Sequence, residues 1–390
     1  MKILHTVEFY EPFKGGAQEV VKQLSERMVA MGHDVTVVTT KLKERKSKVI
    51  NGVKIQEFNI SGNEVRGYIG DTESYKKFLL KNNFDIVMNY AAQQWATDLF
   101  FEVIDDIKAK KVFVPCGFSG LYDPTYKEYF KKMPNILKKY DATVYLAEKY
   151  RDIDFAKKHK IKNLSIIPNG AAADEFDIPT NNKIRNNYGI RDGSFLVTTI
   201  SSHTGVKGHA DAIKIFKKAK IKNSTLLIVG NMLNEGCGPS CSSKAKKFNR
   251  SIISKLKKQK IIVKDIVRKD TIDLLKTSDL FLLASNIEAS PIVIFEACAA
   301  KTPFLVTDVG NSKEIIKWTN GGKLLPTYKD DQGYSHTKIK ESVSVLQKIY
   351  NSPGLREQMA VKGYKAWSTK YSWEKITEQY LKLYKRISIK

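Results

Sequence analysis

The stretch DLFLLASNIEASPIVIFEACAAKTPFLVTDVG, residues 279–310, decides the fold of this chain. An apolar run of strand length comes first, then a polar break, then a helix-like segment that extends to Ala300. Ser290 is a suitable N-cap and Pro291 a suitable first helical residue, because proline lacks an N–H where that group has no intrahelical partner. The pattern predicts a buried strand, a turn and a capped helix.

The start of this predicted helix is a candidate anion site. The backbone N–H groups of Ile292, Val293 and Ile294 should lack intrahelical partners, and such a terminus attracts phosphate. Glu288 precedes the helix and Glu296 lies about a turn and a half inside it. Because a diphosphate repels carboxylates, both are better suited to accept hydrogen bonds from sugar hydroxyls. The arrangement suits a nucleotide sugar, but an exposed helix residue and a turn residue would show the same spacing.

The segment from Glu288 to Glu296 resembles the E-x7-E signature of retaining glycosyltransferases. Residues 297–303 and 308–310 continue the resemblance, specifically to family 4 of that group. The resemblance implies that Glu296 binds the ribose hydroxyls of the donor. It also implies that Glu288 lies beside the donor sugar, where it is the candidate catalytic residue.

A second motif follows another predicted strand. Lys207-Gly208 resembles the K-G motif of the family, whose lysine contacts the donor diphosphate. The family usually has an arginine five residues earlier, and this chain has Ser202 there. A lysine supplies a point charge without a bidentate fork. We therefore expect Ser201, Ser202 and the helix terminus at Ser290 to carry a larger share of the phosphate binding.

The first half of the chain contains two glycine loops. Gly15-Gly16 follow a predicted strand and open a helix, as in a Rossmann-like unit, but they lack the dinucleotide fingerprint, and a tight turn alone would also favour glycine. In the family this loop brings the backbone close to donor and acceptor. The resemblance places Cys116-Gly117 on the acceptor side, at a position where many members carry a histidine. Since this chain has Cys116 there, no histidine base is assigned.

Alternating strand-like and helix-like runs predict parallel sheets covered on both faces, and 390 residues fit two domains. Residues 168–170 resemble the turn that leads out of the family's first domain, although Ala172 replaces a frequent aspartate. The resemblance implies the α/β GT-B fold, with two Rossmann-like domains facing each other across a cleft. We expect an acceptor domain at 1–170 and a donor domain at 171–372. A C-terminal helix at about 373–390 is expected to pack back on the first domain, the alternative being a terminal helix of the second.

The composition is strongly basic, with 66 Lys and Arg against 41 Asp and Glu and a formal net charge of +25. This charge predicts anionic partners, and nucleic acid, phospholipid and nucleotide diphosphates are all candidates. Nucleic acid is disfavoured because the lysines are spread along the chain and no nucleic-acid motif is recognised, and an ordinary solvated surface is the alternative. No apolar run approaches the roughly 18 residues that span a bilayer, and no signal peptide opens the sequence. We expect a cytoplasmic protein.

The four cysteines, Cys116, Cys237, Cys241 and Cys298, do not form a disulfide framework in a chain of this length. The spacing of Cys237 and Cys241 suits a metal, but no second Cys or His pair lies close in sequence to complete four ligands. We interpret this segment as a loop. No metal and no other cofactor is expected, because the lysine, the hydroxyls and the helix terminus are available to offset the leaving diphosphate.

Residues 126–140 form a basic amphipathic segment with five lysines and one glutamate. Its large apolar residues recur at helical spacing, namely Tyr126, Phe130, Met133, Leu137 and Tyr140. Such a surface suits peripheral attachment to the inner face of the cell membrane, with a lipid-linked saccharide as acceptor. The alternative is that the apolar stripe packs on the first domain and the lysines are merely solvated.

Together these motifs imply a retaining hexosyltransferase that moves a hexosyl unit from a nucleoside-diphosphate sugar to a saccharide acceptor in cell-surface glycan synthesis. The base is expected near residues 264–267, and the resemblance favours a front-face route in which the departing phosphate helps to deprotonate the acceptor. The predicted donor-binding residues are Gly15, Gly16, Ser202, Lys207, Ser290, Ile292, Val293 and Glu296. Two other classes remain open: a GT-B sugar-nucleotide epimerase or phosphorylase, and a non-enzymatic polyanion-binding protein.

Overall fold

The computed structural model describes residues 1–181, 183–231 and 236–389. The chain splits into two compact units. Unit 1 comprises Met1–Asn169 with Trp373–Lys390, and unit 2 comprises Gly170–Ser372.

Unit 1 alternates strands and helices. In chain order these are β1 (Lys2–Thr6), α1 (Gly16–Ala30), β2 (Asp34–Thr40), β3 (Val49–Ile50), β4 (Val53–Phe58), β5 (Ile60–Asn63), β6 (Gly67–Gly70), α2 (Thr72–Lys81), β7 (Ile86–Tyr90), α3 (Trp95–Val103), β8 (Lys110–Val114), a 3₁₀ turn (Pro124–Tyr126), α4 (Lys127–Lys138), β9 (Ala142–Tyr145), α5 (Arg151–Lys158) and β10 (Leu164–Ile166).

Unit 2 repeats the alternation. Its elements are α6 (Ala173–Phe176), α7 (Ile184–Asn187), β11 (Phe195–Ile200), α8 (His209–Ala219), β12 (Ser224–Val229), α9 (Gly238–Asn249), α10 (Ile252–Lys257), β13 (Gln259–Lys264), α11 (Arg268–Lys276), β14 (Leu280–Leu283), α12 (Ile292–Ala299), β15 (Phe304–Val306), α13 (Ser312–Thr319), β16 (Gly322–Leu324), β17 (Thr327–Lys329), β18 (Ser335–Thr337), α14 (Ile339–Tyr350), α15 (Pro353–Ala366) and a π-helical turn (Trp367–Tyr371). The last helix, α16 (Trp373–Ser388), belongs to unit 1.

Each unit is built on a doubly wound sheet. In unit 1 the strand order is β10-β9-β8-β7-β1-β2-β4-β3, and every pair is parallel except β3 with β4. In unit 2 the order is β13-β12-β11-β14-β15-β16, and all pairs are parallel. The direction of winding reverses between β1 and β7 in unit 1 and between β11 and β14 in unit 2. Sheets of this kind bind ligands outside the carboxyl ends of the strands at such switch points.

The C-terminal helix α16 packs on the sheet of unit 1 through buried aromatic residues. The hydroxyl group of Tyr384 lies 3.2 Å from His5 Nε2 and 3.2 Å from Met88 Sδ. At the other end of the helix, Arg27 donates from Nε and Nη2 to Glu374 Oε1 at 2.9 and 2.8 Å. The helix thus completes the core of a domain whose other elements lie more than 200 residues earlier in the sequence.

The basic amphipathic segment forms α4, and its apolar stripe faces the core of unit 1. Each member of that stripe is at most 7% exposed, namely Tyr126, Phe130, Met133, Leu137 and Tyr140. On the outer face, Lys132 pairs with Glu64 and Lys139 with Asp105. The prediction that this stripe lies on a membrane is therefore wrong, because the same apolar face is already buried in the core of unit 1. Among the described residues, no helix is long and apolar enough to cross a bilayer.

Candidate active site

The helix start predicted from the sequence is present, one residue later than expected. Pro291, with φ −71° and ψ 110°, is the N-cap of α12, and Ile292 is the first helical residue. The assignment of Ser290 as N-cap is wrong, because the proline ring fixes φ but leaves ψ free to stay extended. Buried Ser290 instead accepts a hydrogen bond from Asn311 Nδ2 at 3.1 Å.

The prediction that three N–H groups lack intrahelical partners is also corrected. The Ile294 amide donates to the carbonyl oxygen of Pro291 at 3.2 Å. Ile292 and Val293 therefore remain the leading candidates to present N–H groups at the helix start.

Two loops meet at the switch point of unit 2, one after β11 and one after β14. The backbone N–H of Asn286 donates to the carbonyl oxygen of Val206 at 2.8 Å, which connects the two loops. Gly208 has φ +68°, and a Cβ placed there would lie 1.7 Å from the carbonyl oxygen of Ala284. Only glycine permits this close approach, so the second residue of the K-G motif has a steric reason.

This packing brings together Lys207 and Glu288, which the sequence analysis assigned to different parts of the donor. Lys207 Nζ lies 2.8 Å from Glu288 Oε1, and the two side chains are 23% and 14% exposed. The ammonium group therefore already has an anionic partner. A donor diphosphate placed at Lys207 would compete with Glu288 for that charge.

The turn at residues 308–310 supports the Glu288 loop. Gly310 has φ +51°, and a Cβ there would lie 2.3 Å from the carbonyl oxygen of Ala289 and 2.8 Å from that of Glu288. The backbone N–H of Asn311 donates to the same Ala289 oxygen at 3.0 Å. Any side chain at position 310 would therefore displace the backbone at Glu288 and Ala289.

Glu296 is buried and paired. It is 4% exposed, and one of its oxygens lies 2.6 Å from Arg268 Nη2. Arg268 also donates to both oxygens of Glu175, at 3.0 and 2.6 Å. Burial opposes the charge on Arg268, but the two carboxylates outweigh it and raise the pKa of Arg268 above its usual value. The reading of Glu296 as an exposed helix residue is therefore wrong.

Sequence reasoning missed Arg268 and Glu175. Arg268 begins α11, directly after residues 264–267, where the base was expected. A basic residue at the end of that loop was the available signal, but nothing in the local pattern linked it to Glu296.

The serines expected to bind phosphate lie in the loop after β11. The Ser201 hydroxyl bonds to His209 Nε2 at 2.7 Å, so this side chain is already engaged. Ser202 is partly exposed, and its carbonyl oxygen accepts from the Thr204 amide at 3.0 Å. Of the two, Ser202 is better placed for a ligand.

In unit 1, Gly15 and Gly16 are exposed at the N-terminus of α1. Gly15 has an extended backbone with φ −172°. A Cβ at Gly16 would meet nothing within 4 Å, and one at Gly15 would meet only side-chain atoms, the flexible end of Gln18 and, at 3.5 Å, the ring of Phe13. The explanation that a tight turn requires this pair is therefore wrong.

The Cys116-Gly117 loop follows β8, at the carboxyl edge of the unit 1 sheet. Cys116, Gly117 and Phe118 have φ angles of 59°, 98° and 47°, a left-handed run that costs free energy at its two non-glycine positions. The Gly117 amide donates to Asp152 Oδ2 at 2.8 Å. Burial raises the pKa of Asp152 to about 6 and that of the Cys116 thiol to about 11. Cys116 is therefore a neutral thiol near pH 7, which does not suit a nucleophile.

The interpretation of residues 237–241 as a loop is wrong. Cys237 precedes α9 and Cys241 lies within it. The side chains of His203 and His209 complete a group of four, whose ligand atoms all lie within 4.8 Å of one another.

Comparison with known families gives two matches that together cover most of the chain. The family model described as glycosyl transferases group 1 matches residues 180–366, and the model described as glycosyltransferase family 4 matches residues 14–175. An uncharacterized glycosyltransferase of Methanocaldococcus jannaschii is 24% identical over 99% of this chain and 98% of its own. The lipopolysaccharide glucosyltransferase WaaG of Escherichia coli is 24% identical over 89% of each chain.

Solved glycosyltransferase structures are similar to this chain over nearly its whole length. Sucrose-phosphate synthase from Thermosynechococcus elongatus has a TM-score of 0.78 and 14% identity, with 99% of both chains covered. Anabaena HepE in complex with UDP-glucose has a TM-score of 0.73 and 14% identity, with 98% of this chain and 99% of that one covered. The predicted GT-B fold class is confirmed by these similarities.

Proposed function

Because this chain belongs to glycosyltransferase family 4, we propose that it is a retaining hexosyltransferase that uses a nucleoside-diphosphate sugar and a saccharide acceptor. The observation that carries the proposal is that each of the two E-x7-E carboxylates in unit 2 is paired with a basic side chain. Glu288 lies beside Lys207 before α12, and Glu296 lies beside Arg268 within it. A polyanion-binding protein would leave Glu288 and Glu296 without a role in binding.

The donor would bind by its three parts. Lys207, the exposed part of Ser202 and the N–H groups of Ile292 and Val293 are suited to the diphosphate, because they supply positive charge and donors at a helix start. Ser290 would contribute by holding that start in place through its bond with Asn311. The base would lie against residues 264–267.

Glu296 would accept hydrogen bonds from the ribose hydroxyls. Arg268 orients this carboxylate and offsets its charge, while its two bonds to Glu175 fix the guanidinium group. A carboxylate held from one side is a ready acceptor for hydroxyl groups on the other.

Glu288 would change partners during the reaction. When the diphosphate takes Lys207, Glu288 is released towards the donor sugar, where a carboxylate stabilises the positive charge that develops at the anomeric carbon. The bond from the anomeric carbon to the phosphate oxygen breaks, the bond to the acceptor oxygen forms on the same face, and the acceptor proton passes to the departing phosphate. The chemistry itself requires no metal ion.

In unit 1, the exposed glycines at positions 15 and 16 and the strained loop at Cys116 and Gly117 are candidates to contact substrate. An open, side-chain-free helix start lets a ligand approach the backbone closely. We propose a saccharide of a cell-surface glycan as acceptor, in line with the lipopolysaccharide named for the relative WaaG.

We also propose a cytoplasmic enzyme that attaches reversibly to anionic membranes. Since the apolar stripe of α4 is buried, attachment would depend only on charge, through exposed residues such as Lys127, Lys131 and Lys138. Flotation with neutral and anionic vesicles tests this proposal. Equal binding to both, or binding to neither, would refute it.

The function is tested in two steps. Binding of UDP, GDP, ADP and their hexoses is first compared by thermal shift, with UDP-glucose as the leading candidate because HepE is similar in fold and was solved with it. The selected donor is then incubated with saccharide acceptors, and NMR reports the anomeric configuration of the product. We expect an acceptor-dependent product that keeps the configuration of the donor.

Other products would identify the alternatives. A new sugar nucleotide formed without acceptor would indicate an epimerase, and a sugar phosphate formed with inorganic phosphate would indicate a phosphorylase. An inverted product would refute retention. Absence of binding to every nucleotide would refute the donor site.

A further inference from the structure

Four metal-ligand side chains meet beside the switch-point loop of unit 2. Three of the four residues are almost completely buried: His203 is 2% exposed, His209 1% and Cys241 1%. The Cys237 sulfur lies 3.4 Å from His203 Nδ1 and 3.5 Å from His209 Nδ1. The proposed transfer chemistry uses none of these four side chains, although His203 and His209 flank the loop that carries Lys207.

These distances match the edges of a tetrahedral zinc site. Zinc binds histidine nitrogen at about 2.0–2.1 Å and cysteine sulfur at about 2.3 Å, so the N–S edge of a tetrahedron is about 3.6 Å. The two measured N–S separations lie close to this value. Two imidazoles and two thiols also form a ligand set that favours zinc over magnesium or calcium, which prefer oxygen.

The surroundings hold the ligands in place. Ser201 Oγ bonds to Nε2 of His209 at 2.7 Å and thereby leaves Nδ1 directed at the Cys237 sulfur, as partners of metal-bound histidines do. The Cys237 amide donates to the carbonyl oxygen of His203 at 2.9 Å. Gly236, with φ +128°, allows this contact, because a Cβ there would lie 1.9 Å from the same oxygen.

The charges are also compatible with zinc. Two thiolates and one Zn²⁺ carry no net charge, so a bound ion would not add repulsion to Lys207, which is two residues from His209. The Nε2 atom of His203 has no hydrogen-bond partner within the described residues, so the fold uses that ring only through its other nitrogen.

We propose that His203, His209, Cys237 and Cys241 bind one zinc ion in a closed, structural site. Four protein ligands leave no open position for a substrate. The ion fastens the loop that carries Lys207 to the start of α9. It therefore fixes the position of the diphosphate-binding lysine without entering the reaction.

The test uses the full-length chain without an affinity tag. Zinc is measured by mass spectrometry of the metal in the wild type and in Cys241→Ser and His209→Gln, with Cys298→Ala as the matched control because Cys298 is also a buried cysteine of unit 2. We expect one zinc per chain in the wild type and the control, and at least a tenfold lower content in the two cluster variants. Equal zinc in all four proteins would overturn the proposal.

A second measurement avoids variants that fail to fold. The wild type is stripped with a chelator and reloaded with Co²⁺, and the absorption spectrum is recorded. Ligand-field bands of tetrahedral cobalt together with thiolate-to-cobalt charge transfer are expected, and the melting temperature should return on addition of Zn²⁺ but not of Mg²⁺. A cobalt spectrum without thiolate bands, or a Cys237–Cys241 disulfide in the freshly purified protein, would refute the zinc site.

Discussion

Replacing Glu296 tests the ribose assignment most directly. The structure makes the change interpretable, because Arg268 keeps two hydrogen bonds to Glu175 after Glu296 is lost. The guanidinium group is thus not left as a buried, unpaired charge. Glu296→Gln preserves the shape of the side chain, whereas Glu296→Ala removes the acceptor altogether.

The expected magnitude follows from the kind of hydrogen bond that is lost. A hydrogen bond to a charged group contributes about 1.5–3 kcal/mol, so Glu296→Ala should raise the Kd of a nucleoside diphosphate about 10- to 150-fold. A neutral amide acceptor retains about 0.5–1.5 kcal/mol. Glu296→Gln should therefore fall between the wild type and the alanine variant.

Titration calorimetry with UDP and with its 2′,3′-dideoxy analogue isolates the ribose contribution. In the wild type the Kd of the analogue should exceed that of UDP by about the same factor by which Glu296→Ala raises the Kd of UDP. In the Glu296→Ala variant the two ligands should bind with equal Kd. Glu357→Gln, an exposed change on α15, serves as the charge-matched control. If Glu296→Ala still prefers UDP to the analogue by the wild-type factor, Glu296 does not bind the ribose.

Lys207→Met should weaken binding of UDP much more than of UMP, as calorimetry can measure, and an equal loss for both would make the lysine structural. Gly310→Ala should lower turnover and the free energy of unfolding, because a Cβ there collides with the carbonyl oxygens that precede α12, whereas Gly354→Ala, with nothing within 4 Å, should leave turnover unchanged. Burial raises the pKa of Asp98 to about 7, so its folded form holds a proton that the unfolded chain releases near pH 4. The free energy of unfolding should therefore fall as pH rises from about 4 to about 7. Urea unfolding at pH 5 and pH 8 should show a smaller fall in Asp98→Asn than in the wild type, and an equal fall would refute the assignment.

Much of the fold is encoded in local patterns. The apolar runs at 53–58 and 195–200 predict strands, and both strands have these bounds in the structure. Strands buried on both faces read as continuous apolar runs, so each is recognisable without knowledge of its neighbours. The short strands β3, β5 and β6 were not predicted, because they lie at an edge or in a hairpin and carry few apolar residues.

The sequence by itself also determined the local positions of the two E-x7-E glutamates. They are eight positions apart in one turn-and-helix segment, so one precedes the helix and the other lies within it. It could not determine their partners. Arg268 reaches Glu296 from another strand–helix unit, and such contacts depend on how the sheet orders its strands.

Only the tertiary structure decided three further points. The apolar stripe of α4 has the same sequence pattern whether it faces a membrane or a core, and the packing of unit 1 places it inside. The spacing of Cys237 and Cys241 does not reveal His203 and His209, which the fold brings to these cysteines from more than 25 residues away. Residue type favours Ser290 as the N-cap, but the structure has Pro291 there, and the Ser290 hydroxyl accepts a hydrogen bond from Asn311 instead. In each case the local sequence allows two outcomes, and contacts with residues distant in sequence select one of them.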